Sequence, residues 1–231
     1  MIPGNTIDLK KMNYLKAYEL QKQIHQLRWA GAVEDTLLFV EHSPVYTIGQ
    51  AGGWDAIKVS REYLKAQGVE IHQVDRGGSV TFHGPGQIVG YPIFHLDLVE
   101  RDLHQYIRFL EEAIILTLAG YGIQAGRLAP HPGVWVGQNK IAAVGVGCKK
   151  WVTYHGFALN VQTDLRYFEL IDPCGIKEFG VTSMSKELNG AVSIPEVQEL
   201  LQRQLEAVFG LSLHQRELPE LFEKQRRYAG P

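Results

Sequence analysis

Apolar and polar residues recur along this chain with two periods, and the switches between them outline its elements. Over residues 14–30, Leu15, Tyr18, Ile24 and Leu27 stand near helical spacing, which predicts an amphipathic helix. "TLLFVE" (36–41) and "PVYTIG" (44–49) are short β-type runs with a turn at "HSP" between them. "SREYLKAQG" (60–68) predicts a helix that Ser60 caps and Gly68 stops. "EIHQVD", a glycine-rich segment and a strand through "QIVGYPIFHL" follow. The clearest helical pattern is "DLHQYIRFLEEAIILTLAGYG" (102–122). Residues 133–161 read as successive strands, the first two joined at a "GQN" corner. Residues 194–210 predict a last helix, with Pro195 in its first turn and Gly210 at its end.

Strands and helices are interspersed, but several strands follow one another as hairpins. That order predicts an α/β (α+β) fold with a mixed β-sheet flanked by helices, rather than a strictly parallel doubly wound one. No internal repeat, low-complexity tract or Pro/Gly/Ser-rich linker divides the chain. The expectation is a single domain over 1–231, with a C-terminal helical segment from about 194.

A net charge of −2 gives no global attraction to nucleic acid or anionic lipid. The N-terminal residues lack a signal pattern and no apolar run reaches membrane-spanning length, so a cytoplasmic location is expected. Two cysteines make neither a disulfide framework nor a four-thiolate metal site, and the nine histidines show no paired ligand spacing. No metal or cofactor is expected.

Candidate chemistry gathers in two places. "RGGSVTFHGPGQ" (76–87) places a cation, Arg76, and a titratable His83 among glycines that let a ligand approach the backbone. It matches neither the P-loop nor the dinucleotide fingerprint. Its two readings are a ligand-lining strand and loop, or a tight hairpin. The second place is "IDPCGI", where Cys174 stands between Pro173 and Gly175, at a turn. Cys148 instead shares a strand face with Val144 and Val146, as a packed small hydrophobe does. An unperturbed thiol is only slightly ionised at neutral pH, so a reactive Cys174 needs a partner. The sequence offers His83, His155, Lys140 and Arg76, and no spacing rule chooses among them.

"RGGSVTFHGPGQIVGYPI", "GQNKIAAVGV", "WVTYHGFALNV", "IDPCGI" and "GVTSM" occur here in one order, and with them the chain resembles the octanoyltransferase, or lipoyl(octanoyl) transferase, family. The resemblance runs from Glu41 through Met184. It implies a biotin- and lipoate-ligase-like catalytic domain. It also implies transfer of an octanoyl group from acyl carrier protein to a lysine of lipoyl domains, in 2-oxoacid dehydrogenases and the glycine cleavage H protein. The implied acyl-accepting cysteine falls on Cys174 and the lysine that lowers its pKa on Lys140. The implied substrate-lining positions are Arg76, Gly77, Gly78, Ser79, Val80, Thr81, Phe82 and His83, then Ala143, Val144 and Gly145, then Gly156, Phe157 and Ala158. His155 is a supporting candidate. Ser79 stands where many family members carry a longer polar side chain.

An acyl groove also has a signature on the strand itself: Ile141, Ala143, Gly145 and Gly147 share one face and shrink along it. Strict alternation puts Lys140 on the face opposite Gly145, so both line one site only if the corner breaks register. Backbone N–H groups of "HGPG" or "CGI" are candidate oxyanion donors. Lys149, Lys150, Arg101 and the tail 223–228 are candidate carrier-protein contacts. The competing readings are an ATP-dependent lipoate-protein ligase on the same fold, a non-enzymatic acyl- or lipoyl-domain-binding module, and a cysteine hydrolase using His83 or His155.

Overall fold

The run "TLLFV" has no polar alternation because both of its faces are covered. In the computed structural model, which describes residues 1–172 and 179–222, Leu37 and Phe39 face one helical layer and Leu38 and Val40 the other, all four buried. In chain order the elements are β1 (Ile2–Lys11), α1 (Tyr14–Trp29), β2 (Asp35–Glu41), β3 (Val45–Ile48), α2 (Arg61–Ala66), β4 (Glu70–Gln73), β5 (Val80–His83) and β6 (Gln87–Ile93). There follow α3 (Leu103–Gly120), β7 (Gly126–Leu128), β8 (His131–Val136), β9 (Asn139–Lys149) and β10 (Val152–Asn160). The last are α4 (Arg166–Glu169), β11 (Gly180–Val181), α5 (Met184–Glu187), α6 (Ile194–Phe209) and β12 (Leu211–Gln215).

The large sheet is mixed, in the order β12-β1-β2-β6-β10-β9-β8-β7, with β11 parallel to β9 beside that path. β12, β1 and β2 are parallel, and β2, β6, β10, β9 and β8 pair antiparallel. A smaller sheet, β4-β3-β5, stands apart. The mixed sheet expected from the hairpins is present, and the second sheet adds to it.

α3 and α6 cover one face. Leu110, Ile114 and Leu118 of α3 and Val197, Leu201 and Leu205 of α6 are wholly buried against Phe157, Leu159 and Ile141. Asp102 caps α3 through the N–H groups of His104 and Gln105, and Gly210 ends α6 at φ +67°. α1 covers the other face, but its buried stripe is Tyr14, Ala17, Leu20, Ile24 and Leu27. Leu15, expected in that stripe, is 44% exposed, because one residue past Tyr14 lies about 100° around the helix. Ser60 caps α2 through Tyr63 N–H, as its sequence predicts. β1 and β12 carry no clear signal in the sequence: Pro3 and Gly4 sit inside the β1 ladder, paired with Ser212 and Leu213. Among the described residues no helix is long and apolar enough to cross a membrane.

Candidate functional site

Beyond Ala142, β9 has lost its neighbour β8, whose pairing with it stops at Val134 opposite Ala142. The glycine-rich segment takes over further along, where Gly77 N–H donates to Val146 O at 3.0 Å. Between these two contacts the sheet edge opens into a cavity of about 320 Å³, near the lower end of the ~300–1,000 Å³ common for small-ligand sites. A Cβ on Gly145 would stand 3.0 Å from Gly77 O and 3.3 Å from Arg76 Cδ, so a side chain there would push loop and strand apart by a few tenths of an ångström.

Lys140 reaches this cavity through a bulge. β8 and β9 pair Val134 with Ala142 but Trp135 with Lys140, which leaves one extra β9 residue between the pairs. Alternation is broken at that point, and Lys140 and Gly145 both line the cavity. The Lys140 Nζ lies 4.7 Å from the Trp135 ring centroid. Its stem passes Gly133 (φ +118°), where a Cβ would stand 2.6 Å from Ala142 O and 3.5 Å from Lys140 Cε. The buried Glu111 on α3 pins this corner: one carboxylate oxygen accepts Gly133 N–H at 2.9 Å, and the other accepts Arg127 and Arg108 at 3.0 and 3.1 Å.

Cys174 lies outside the described residues, as does the tail 223–228. The chain on both sides of residues 173–178 is well anchored. Asp172 N–H donates to Ala56 O at 2.7 Å, and Val181 pairs with Lys140 in β11. Phe168 and Val181, one on each side, line the cavity that Lys140 lines.

Arg76 is buried and spends its guanidinium on its own loop and on β3. It donates to Thr47 Oγ1 and O, to Gly77 O and to Ser79 O, at 2.7 to 3.2 Å. Burial among these neutral acceptors lowers its pKa from the usual arginine value. His83 is buried between the rings of Tyr14 and His42, with centroids 6.0 and 5.9 Å away. Burial, then the neighbouring His42 and Arg76, push its pKa down to about 3, so it is neutral at physiological pH. His155 Nε2 lies 2.9 Å from Asp75 Oδ1, and burial outweighs that carboxylate and lowers its pKa to about 4. Asp75 also accepts from Tyr18 and Tyr154 hydroxyls at 2.7 and 2.8 Å. Burial opposes its ionisation, but its three donors hold its pKa down at about 2.

The cavity gathers Arg76, Gly77, Gly78, Ser79, Val80, Thr81, His83, Ala143, Val144, Gly145, His155, Gly156, Phe157 and Ala158. Phe82 is not among them. Its ring is turned into a separate cluster, where it stacks on Tyr167 at 4.4 Å. Of the graded strand face only Ala143 and Gly145 line the cavity. Ile141 is buried in the core beneath α3, and the space over Gly147 is filled by the Tyr154 ring. Of the "HGPG" donors, Pro85 has no N–H and Gly86 gives its own to Glu41 at 3.0 Å; "CGI" lies outside the described residues. Tyr14, Val89, Tyr91, Gln87 and Asn160 also line the cavity, with Leu103 and Ile107 of α3. Gln87, Val89, Tyr91 and Asn160 lie inside the ordered motifs; Tyr14, Leu103 and Ile107 do not.

A mixed sheet with helices on both faces is the fold this chain shares with solved lipoate- and biotin-protein ligases. A crystal structure of lipoate-protein ligase A bound with ATP matches at TM-score 0.77 and 20% identity, covering 98% of this chain and 94% of that one. The biotin protein ligase from Aquifex aeolicus in complex with biotin and ATP matches at 0.57 and 14%, covering 89% and 70%. These likenesses are of fold. The model of the lipoyl protein ligase A/B catalytic domain matches residues 13–206. The octanoyltransferase of Caldanaerobacter subterraneus subsp. tengcongensis is 46% identical over 219 residues, 94% of this chain and 95% of that protein. The chain therefore belongs to the lipoyl protein ligase A/B catalytic domain family, among its octanoyltransferase enzymes.

Proposed function

We propose that the whole chain acts as one catalytic domain that moves an octanoyl group from its thioester on acyl carrier protein, through Cys174, to the target lysine of lipoyl domains. The acceptors are those of 2-oxoacid dehydrogenases and the glycine cleavage H protein. The observation that supports this reading best is the position of Lys140. It lines a mostly apolar cavity together with Phe168 and Val181, which flank the segment that contains Cys174.

In this mechanism Lys140 and Cys174 exchange one proton between an amine–thiol and an ammonium–thiolate form, and their two pKa values belong to the pair. The thiolate attacks the carbonyl carbon of the carrier thioester, and the tetrahedral oxyanion collapses as the C–S bond to the carrier breaks. The departing carrier thiolate takes a proton from the Lys140 ammonium. Thioester has exchanged for thioester at nearly even free energy, leaving octanoyl-Cys174. The acceptor lysine amine then attacks the same carbon, the C–S bond to Cys174 breaks, and Lys140 carries the surplus proton from the amine towards the thiolate. Amide formation from a thioester runs downhill without ATP, and the kinetics are ping-pong. Burying about seven methylene-sized groups at ~0.8 kcal/mol each gives an upper figure of about 5–6 kcal/mol for holding the chain.

His83 and His155 are poor bases in this setting, since both are neutral through burial with pKa values of about 3 and 4. The test pairs two donors: octanoyl-carrier protein alone, and free octanoate with ATP, each with a lipoyl domain. Transfer from the first only is the expected result. Transfer from the second with Cys174→Ser fully active would assign the chain to ATP-dependent ligation.

A further inference from the structure

Six buried residues join the glycine-rich loop to β11 in a single line of hydrogen bonds. Arg76, Thr47, His83, Gln87, Asn160 and Thr182 are each less than 8% exposed. Thr47 Oγ1 accepts from Arg76 Nε and Nη2 at 3.2 and 2.9 Å, which leaves its own O–H to donate to His83 Nε2 at 3.5 Å. His83 Nδ1 lies 2.9 Å from Gln87 Oε1. Gln87 Nε2 donates to Asn160 Oδ1 at 2.9 Å and to Phe82 O at 3.2 Å. Asn160 Nδ2 donates to Thr182 O at 3.0 Å.

The polarity of this line is set at its ends. Phe82 O and Thr182 O are carbonyls and only accept, so both amide groups must present nitrogen to them. Gln87 Oε1 is then left to accept, and His83 must carry its proton on Nδ1. At the far end Thr182 N–H donates to Lys140 O at 3.0 Å. The titratable groups that face His83 are Tyr14 of α1, His42 of the β2–β3 turn, Arg76, and His155 of β10.

The geometry points to Gln87 and Asn160 as positioning residues for acyl transfer, an inference that rests on the octanoyl-transfer reading above. They hold His83 as a neutral, Nδ1-protonated wall of the cavity, and they tie that wall to the residue hydrogen-bonded to the Lys140 carbonyl. The substrate-facing loop and the backbone that carries the lysine are thereby kept in one register. Both His83 nitrogens are engaged along the line, Nδ1–H with Gln87 Oε1 and Nε2 with the Thr47 hydroxyl.

Two isosteric changes test this. In Asn160→Asp the side chain still accepts from Gln87 but meets Thr182 O with no proton to give. In Gln87→Glu a carboxylate stands beside His83 and raises its pKa. Asn160→Asp is expected to lower kcat about 10- to 100-fold with KM for the octanoyl carrier protein changed less than about threefold. In ¹⁵N-histidine NMR, wild-type His83 is expected as the Nδ1–H tautomer, without titration between about pH 5 and 8. Gln87→Glu is expected to bring that titration into the window and to add an acid limb to the kcat profile. A folded Asn160→Asp with kcat within about twofold of wild type overturns the inference, as does an Nε2–H or titrating His83 in the wild type. If Asn160→Asp does not fold, the wild-type tautomer and Gln87→Glu decide. A wild type unable to transfer octanoyl from the carrier would sink the parent reading instead, and the NMR result would still judge the hydrogen-bonded line.

Discussion

Lys140 is asked to do what its place in the sequence does not suggest. A lysine at a hairpin corner is ordinarily a solvated end, and the bulge opposite Trp135 turns this one into the cavity. Replacing it with alanine is expected to slow octanoyl-Cys174 formation about 10²- to 10⁴-fold, the usual span of a lost acid–base group. Lys140→Arg should recover little of the second half-reaction, because a guanidinium does not release its proton near neutral pH. Quenched-flow mass spectrometry of the acyl-enzyme measures both, and near-wild-type rates in Lys140→Ala would contradict the assignment. Gly145→Val tests the acyl groove. Its side chain would press on Gly77 O and Arg76 Cδ and take the room of two or three methylenes, at ~0.8 kcal/mol each. Octanoyl donors should lose more kcat/KM than butyryl donors, and an equal loss for both would place the chain elsewhere. Most of these residues were legible from the ordered motifs. Phe82 was not, because no contiguous motif reports that its ring stacks on Tyr167, far along the chain.

Elements meet at the polar wall of the cavity, which His83 and His155 line and His42 backs from behind His83. His42 hydrogen-bonds Met12 O and Tyr91 through its two nitrogens, and burial lowers its pKa to about 4. His83 and His155 stand at about 3 and 4, against 6.5 in the unfolded chain. A folded pKa below the unfolded one contributes stability that is complete above the unfolded value and is lost as pH falls through the folded value. Melting temperature is therefore expected to drop steadily from about pH 6.5 to 4, with Asp75, held at about 2, extending the loss below its usual 3.8. His42→Gln should flatten that slope in thermal melts, and a wild type equally stable at pH 7 and 4.5 would contradict the buried, neutral assignment. Helices were read well because their caps are written locally, as with Asp102 and Gly210. β1 was not, since Pro3, Gly4 and Asn5 are weak strand formers, and their pairing with β12 joins residues about two hundred positions apart.

At the largest scale, the long sheet, the small sheet and the two helical layers leave one edge of β9 uncovered between Ala142 and Val146, and the site is built there. The mixed sheet followed from the order of strand and helix patterns. The second sheet and the line from Arg76 to Thr182 did not, because no local pattern reports which distant side chains share a hydrogen bond. On the proposed acyl-cysteine route the enzyme needs a thioester donor and no nucleotide. Initial-rate plots with the octanoyl carrier protein and a lipoyl domain should be parallel, as ping-pong transfer requires, and intersecting lines would argue for a ternary complex. The most direct measurement is the intact mass of the protein after mixing with octanoyl-acyl carrier protein in the absence of acceptor. Wild type should gain one octanoyl group, about 126 Da, and lose it on addition of a lipoyl domain, while Cys174→Ala gains none. An unmodified wild type that nevertheless transfers octanoyl, or a Cys174→Ala variant with full turnover, would contradict the acyl-cysteine route.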